Sequence, residues 1–281
     1  MTGFFTRTVL ILVSFPLFYL IIFVFPFEKH VILNGLAVVA SFIGSFELNN
    51  LINKKYNIGK GILLPLLGAS IPLVTYLEIS NVIWVDFGYF WIGLIFVLLF
   101  IRGAFISKKE VLRDFLANTS LSLMVIVYPA YFVSFVVRIS SLKYSSYLIL
   151  FFLSIVFIND IMAYIFGKFL GGTTRLGLLV SPKKSLVGFI AGFLGSVSIA
   201  ILFYYLFPML FPVRLWVMVA FGVLVGIVAI LGDLSESALK RSAMVKDSGE
   251  IIPGRGGLLD SIDSLLFVAP VFYYFFEKLY M

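Results

Sequence analysis

The sequence contains no cysteine and a single histidine, His30, among 281 residues. The first absence excludes a disulfide framework, a cysteine-ligated zinc and thiol catalysis. The second leaves little room for imidazole acid–base chemistry or a histidine metal site. Charge is also scarce. Asp, Glu, Lys and Arg make up 12% of the chain, where a soluble domain carries about 25%. What fills the gap is apolar: 62% of residues are hydrophobic and 17% aromatic. No soluble core of this length could hold so many. The useful unit is a membrane span of roughly 20 apolar residues, and nothing outside such runs is long enough for a separate soluble domain.

Nine apolar stretches are predicted as helical spans, at about 7–27, 31–52, 61–78, 82–101, 116–138, 146–170, 187–207, 213–233 and 258–280. In lipid each backbone group must be satisfied within its own segment, so these runs read as helices. The fold class is an all-α polytopic bundle. The first stretch follows Arg7 and has the outline of a signal peptide, but it is long and lacks a small-residue cleavage site, so it reads as a retained span. With the N-terminus in the cytoplasm, only Lys29, Arg138, Lys143, Arg214 and Lys278 of the 21 basic residues fall on the outer side. That bias follows the positive-inside rule. It also gives the net charge of +7 a membrane reading, with no nucleic-acid partner.

Polar chemistry divides the chain into 1–115, nearly plain spans, and 116–281, which carries three polar constellations. Asn159 and Asp160 lie inside the sixth stretch, where a carboxylate is costly unless it faces a polar cavity, a metal or a partner. Gly167 and Gly171 nearby suit close helix packing. Next comes a basic loop in which Ser181, Pro182, Lys183, Lys184 and Ser185 precede a span, a place where lysines and free N–H groups can hold phosphate. The third runs from Gly232 to Asp263. Asp233, Glu236 and Ser237 share a helical face, Lys240 and Arg241 continue it, and Lys246 and Asp247 follow. The glycine-rich turn Pro253-Gly254-Arg255-Gly256-Gly257 lets the backbone approach a ligand closely. Asp260 and Asp263 open the last span on one face. Asp233, Asp260 and Asp263 near one membrane boundary need a balancing cation. Lysines could serve, and so could a hard cation such as Mg²⁺ or K⁺, since the donors are all oxygen.

The spacing Ser237-x-x-Lys240-Arg241-x4-Lys246-Asp247-x-Gly249, then Pro253-Gly254-x-Gly256-Gly257-x-x-Asp260-x-x-Asp263, resembles the C-terminal signature of the phosphatidate cytidylyltransferases, the CDP-diacylglycerol synthases. Asn159-Asp160-x-x-Ala163-Tyr164 and Ser181-Pro182-Lys183-Lys184-Ser185 also resemble motifs of that family. The likeness covers roughly residues 159–263. Two positions depart: Arg255 stands where the family usually has histidine, and Ser261 where it usually has arginine.

The resemblance implies transfer of CMP from CTP to phosphatidic acid in a membrane, giving CDP-diacylglycerol and pyrophosphate. On this reading Asp233, Asp260 and Asp263 bind Mg²⁺, with room for a second cation such as K⁺, and act with Lys240 and Arg241 as the catalytic set. Asn159, Asp160, Ser181, Lys183, Lys184, Ser237, Lys246, Asp247, Arg255, Gly256 and Gly257 form the substrate-binding set. The expected setting is a bacterial inner membrane, active site on the cytoplasmic side, and the small-residue faces permit a homodimer. A CTP-dependent polyprenol kinase shares this chemistry but releases CDP. An ion-coupled transporter would spread its carboxylates across the bilayer.

Overall fold

The structure, a computed structural model, describes residues 16–56, 58–59, 61–252 and 256–280. Among these residues the regular elements are all helical, and the only β pairings are isolated bridges. The principal helices are α1 Phe27–Ile52, α2 Leu63–Ile79, α3 Phe87–Ile101, α4 Phe115–Ile139, α5 Ser145–Leu170, α6 Leu186–Leu206, α7 Leu215–Ser242 and α8 Leu259–Tyr280. Seven of them are long and apolar enough to cross a membrane, α3 counting with the short turn that extends it to Phe105. The chain is an integral membrane protein.

The exception in length is α2, with 17 residues. At 1.5 Å per residue it reaches about 26 Å, a little short of a hydrocarbon core of about 30 Å. Residues 7–15 of the first predicted span, 7–27, lie outside the described residues. Its described part is helical from Pro16 and ends in a π-turn at Leu20–Val24.

Two compact units divide the chain, and both are discontinuous in sequence. The first comprises Met1–Ser141 and Ala243–Ser261; the second comprises Leu142–Ser242 and Ile262–Met281. The boundary therefore falls inside α8, after its third residue.

In the first unit α1 packs on α2 through small residues. A side chain at Gly68 would meet Ser45 Oγ at 2.5 Å. Midway along α4 the helix widens into a π-turn at Val127–Tyr131, where Pro129 removes a backbone donor. Gly44 of α1 makes room for that bulge, since a Cβ there would lie 3.1 Å from Pro129 Cβ. An ion pair between Arg138 and Glu78, 3.3 Å apart and almost fully buried, ties α4 to α2. Glu78 Oε2 also accepts from the Gly88 N–H of α3 at 2.9 Å.

The second unit has an aromatic centre. Phe151 of α5 packs in tilted and edge-to-face pairs with Phe203, Phe211, Phe221, Phe272 and Phe276 at centroid distances between 4.8 and 6.1 Å. Toward the other end of the unit, glycines replace aromatics. A Cβ on Gly188 of α6 would lie 2.9 Å from the Ala163 carbonyl of α5, and one on Gly192 would lie 3.0 Å from the Asn159 carbonyl. A Cβ on Gly222 of α7 would lie 2.9 Å from Val197 Cα. Gly167 meets Gly188 in the same seam, so these small faces are occupied by packing within the chain.

Candidate active site

In the second unit the site is built where α7 and α8 pack together at Gly232. Gly232 permits the approach: a Cβ there would lie 3.1 Å from the Asp263 carbonyl and 3.0 Å from Phe267 Cβ. The next residue is Asp233. Helical periodicity places Glu236 and Lys240 on the same face of α7, and Lys240 Nζ donates to Glu236 Oε2 at 3.0 Å. The Glu236 side chain is 1% exposed. From α8, Asp263 comes within side-chain reach of Glu236 and lies within the fields of Asp233 and Lys240. Two carboxyl groups that close need a shared proton or a cation between them.

The loop after α5 supplies one cation. Its hairpin-like turn is pinned by bridges between Arg175 and Ser185 and between Leu178 and Ser181. Leu176 N donates to Lys184 O at 2.9 Å, and Leu186 N to Thr174 O at 2.9 Å. Lys184 thereby reaches Asp233 and forms an ion pair with it, while Lys183 faces solvent. Ser185 caps α6, its Oγ accepting from Gly188 N at 3.2 Å. Arg241 Nε donates to Val180 O at 3.4 Å, tying the loop to the end of α7. Asp160 of α5 accepts from Ser264 Oγ at 3.3 Å, one residue from Asp263. Its neighbour Asn159 turns away and donates to Ser196 Oγ of α6 at 3.0 Å. Asn159 is thus engaged in helix packing.

The first unit holds the glycine-rich turn. Ile252 and Gly256 pair through both backbone groups, at 2.8 and 3.1 Å, and close the turn. Pro253, Gly254 and Arg255 lie outside the described residues. Asp260 Oδ2 accepts from Ser248 N at 2.9 Å, Ser248 Oγ at 3.0 Å and Gly257 N at 2.7 Å. Beneath the turn sits a residue that sequence reasoning passed over. Glu47 of α1 is 3% exposed. Its Oε1 accepts from Leu258 N and its Oε2 from Leu259 N, both at 2.9 Å. Ser248 Oγ lies 3.2 Å from the same Oε2. The N-terminal half is therefore not plain, and the signal that could have found Glu47 is the cost of a carboxylate inside a span.

The predicted residues thus fall into two groups. Asp160, Lys184, Asp233, Lys240 and Asp263, with Arg241 at the end of α7 and Ser181 on the adjoining turn, belong to the second unit. Asp260, Gly256 and Gly257 belong to the first, together with Lys246 and Asp247, which are exposed. Ser237 is half-buried on α7. Among the described residues, no group of three or more His, Cys, Asp and Glu is placed to hold a metal by itself. Mg²⁺ does not need such a cage. It binds through one or two carboxylates and completes its shell with water and phosphate oxygens. Asp233 and Asp263, oxygen donors in a crowded acidic cluster, fit that habit.

The chain is 48% identical to a phosphatidate cytidylyltransferase of Synechocystis over 41% of its own length and 38% of that protein's. It is 40% identical to one of Chlamydia trachomatis over 41% of its length and 38% of that protein's. With one of Thermotoga maritima it shares 39% identity over 65% of its length and 68% of that protein's. The matched stretch spans well under half of the first two relatives. The sequence profile of the cytidylyltransferase family matches residues 5–279, nearly end to end. The chain belongs to the cytidylyltransferase family.

Proposed function

We propose that the chain transfers CMP from CTP to phosphatidic acid, forming CDP-diacylglycerol and pyrophosphate. The observation that carries this reading is the cluster of Asp233, Glu236 and Asp263 flanked by Lys184 and Lys240. It joins carboxylates suited to a hard cation with ammonium groups suited to phosphate. The named relatives catalyse, by name, the same transfer.

A phosphatidate oxygen attacks the α-phosphorus of CTP. A P–O bond forms there, the bond from that phosphorus to the bridging β-oxygen breaks, and the electron pair leaves on pyrophosphate. The nucleophile is already an anion, so no general base is required, and the absence of a usable histidine costs nothing. The difficulty is gathering three charged groups and stabilising the charge that develops on the leaving group. Lys184 and Lys240 are held by carboxylates at a fixed place and hold phosphate oxygens there. Arg241, fixed to the Val180 carbonyl, and Lys183 extend the basic surface toward the nucleotide.

Asp233 and Asp263 would hold Mg²⁺, which when bound neutralises phosphate charge. Asp260 is assigned to the glycine turn, because one of its oxygens already accepts three donors. The site faces the cytoplasm of a bacterial inner membrane, the side to which the basic loops belong.

The test is pyrophosphate release by purified protein in detergent with CTP, phosphatidate and Mg²⁺, each omitted in turn. Release that needs all three supports the reading. CDP formation on a polyprenol, with no pyrophosphate, would transfer the assignment to a CTP-dependent lipid kinase.

A further inference from the structure

We propose that Glu47 is a positioning residue for this reaction, setting the glycine-rich turn and the first residues of α8 from inside a membrane helix. The proposal rests on the transferase reading above.

A carboxylate in the interior of an apolar helix costs several kcal/mol unless it is paired or hydrogen-bonded. Glu47 is almost fully buried in α1. Both of its oxygens are committed: Oε1 to the Leu258 N–H, Oε2 to the Leu259 N–H, each at 2.9 Å. Those are among the donors that the start of α8 cannot satisfy within the helix, and a negative charge there suits the helix dipole. A serine or asparagine placed locally would satisfy one such donor. A glutamate from another helix holds two and also fixes where the helix begins.

The grip extends into the turn. Ser248 Oγ lies 3.2 Å from Glu47 Oε2 and 3.0 Å from Asp260 Oδ2, so one hydroxyl links the two carboxylates. The glycines answer to the same group. A Cβ on Gly249 would lie 2.5 Å from Glu47 Oε1, and one on Gly257 would lie 2.5 Å from Glu47 Oε2. Gly256, with φ at +109°, would press a Cβ to 2.6 Å from Asp260 Oδ2. In this structure the glycine pattern makes room for protein carboxylates beneath the backbone. The chemistry then depends on Glu47 at one remove: it fixes the first residues of α8, and α8 carries Asp263.

The experiment compares Glu47→Gln and Glu47→Asp with the wild-type chain in detergent, under two readouts. The first is steady-state pyrophosphate release. Glu47→Gln keeps one acceptor and places an NH₂ group against an N–H donor. Its kcat is expected to fall about tenfold to a hundredfold, with KM for CTP changed less than kcat. The second is hydrogen exchange, read on peptides covering residues 246–262. Exchange there should rise about tenfold in Glu47→Gln, while peptides from α5, α6 and α7 stay as in wild type. Glu47→Asp, which keeps the charge, should recover part of both. Wild-type turnover with wild-type exchange in Glu47→Gln overturns the proposal. So does a rise in exchange throughout the chain, which would mark a merely structural role. Should the wild-type chain release no pyrophosphate, the functional reading fails, while the exchange data still decide whether Glu47 holds the turn.

Discussion

Asp260 and Asp263 sit three positions apart at the start of α8, yet their surroundings differ. A separation of three residues turns a side chain by about 60° around the helix. Asp260 collects three donors from the turn, whereas Asp263 meets Glu236 and the field of Asp233. The two carboxylates should therefore fail differently. Asp263→Asn removes a charge from the pair proposed to hold Mg²⁺, so the Mg²⁺ concentration for half-maximal pyrophosphate release should rise at least about tenfold. Asp260→Asn can keep an oxygen on these three donors but loses the charge that strengthens the bonds, so turnover should fall at an unchanged Mg²⁺ requirement. A Mg²⁺ titration of both variants checks the pair, and equal shifts would return Asp260 to the metal. Legibility follows the same line. The acidic residues of the C-terminal signature were legible because they cluster within about 30 residues and local spacing gives their faces. Glu47 was not, because its partners lie 201 to 212 positions further along the chain. A lone glutamate near the end of an apolar run reads as the end of a span. The glycines of the turn were legible as a turn, but the carboxylates beneath them were not.

Helix packing in the second unit depends on contacts that leave no room for a methyl group. The seam between α5 and α6 is lined by Gly188, Gly192 and Gly195, and the nearest facing atom at Gly188 and at Gly192 is a backbone carbonyl oxygen. Backbone cannot swing aside as a flexible side chain can. Gly192→Val would drive its Cβ against the Asn159 carbonyl and Ala163 Cβ and push the helices apart. The cost should be about 1–3 kcal/mol, as for other overpacked interiors, seen as a lower midpoint of thermal unfolding in detergent. Asn159 and its bond to Ser196 lie in the same seam, so turnover should fall with it. Gly35→Ala on α1 is the matched control. No atom lies within 4 Å of a Cβ there, and its midpoint should hold or rise slightly, since alanine favours the helix. The sequence marked small-xxx-small spacing at 167 and 171 but not its partners, because Ser185 and Gly188, which those glycines face, lie beyond the loop that follows α5.

For the whole molecule, orientation in the membrane follows from charge. Basic residues concentrate in alternate loops, and moving them across the bilayer is costly. The absence of cysteine makes this directly measurable, since any introduced thiol is the only one. The ends of α6 give a compact test. Leu179, in the loop before α6, is 95% exposed, and Met209, just after it, is 54% exposed. Neither belongs to the polar cluster, so Leu179→Cys and Met209→Cys should leave turnover near wild type. In right-side-out membrane vesicles, an impermeant maleimide should label the thiol at 209 and spare the one at 179. In inverted vesicles the pattern should reverse. Labelling of 179 from the outside would put Lys183 and Lys184 on the wrong face for CTP. The nucleotide is a cytoplasmic polyanion that does not cross the bilayer, so the transferase reading and the charge-based topology would then fall together. Labelling as expected would leave the lysines, Asp233 and the start of α6 on the side where the nucleotide is found. The lipid substrate would come from the leaflet beside them.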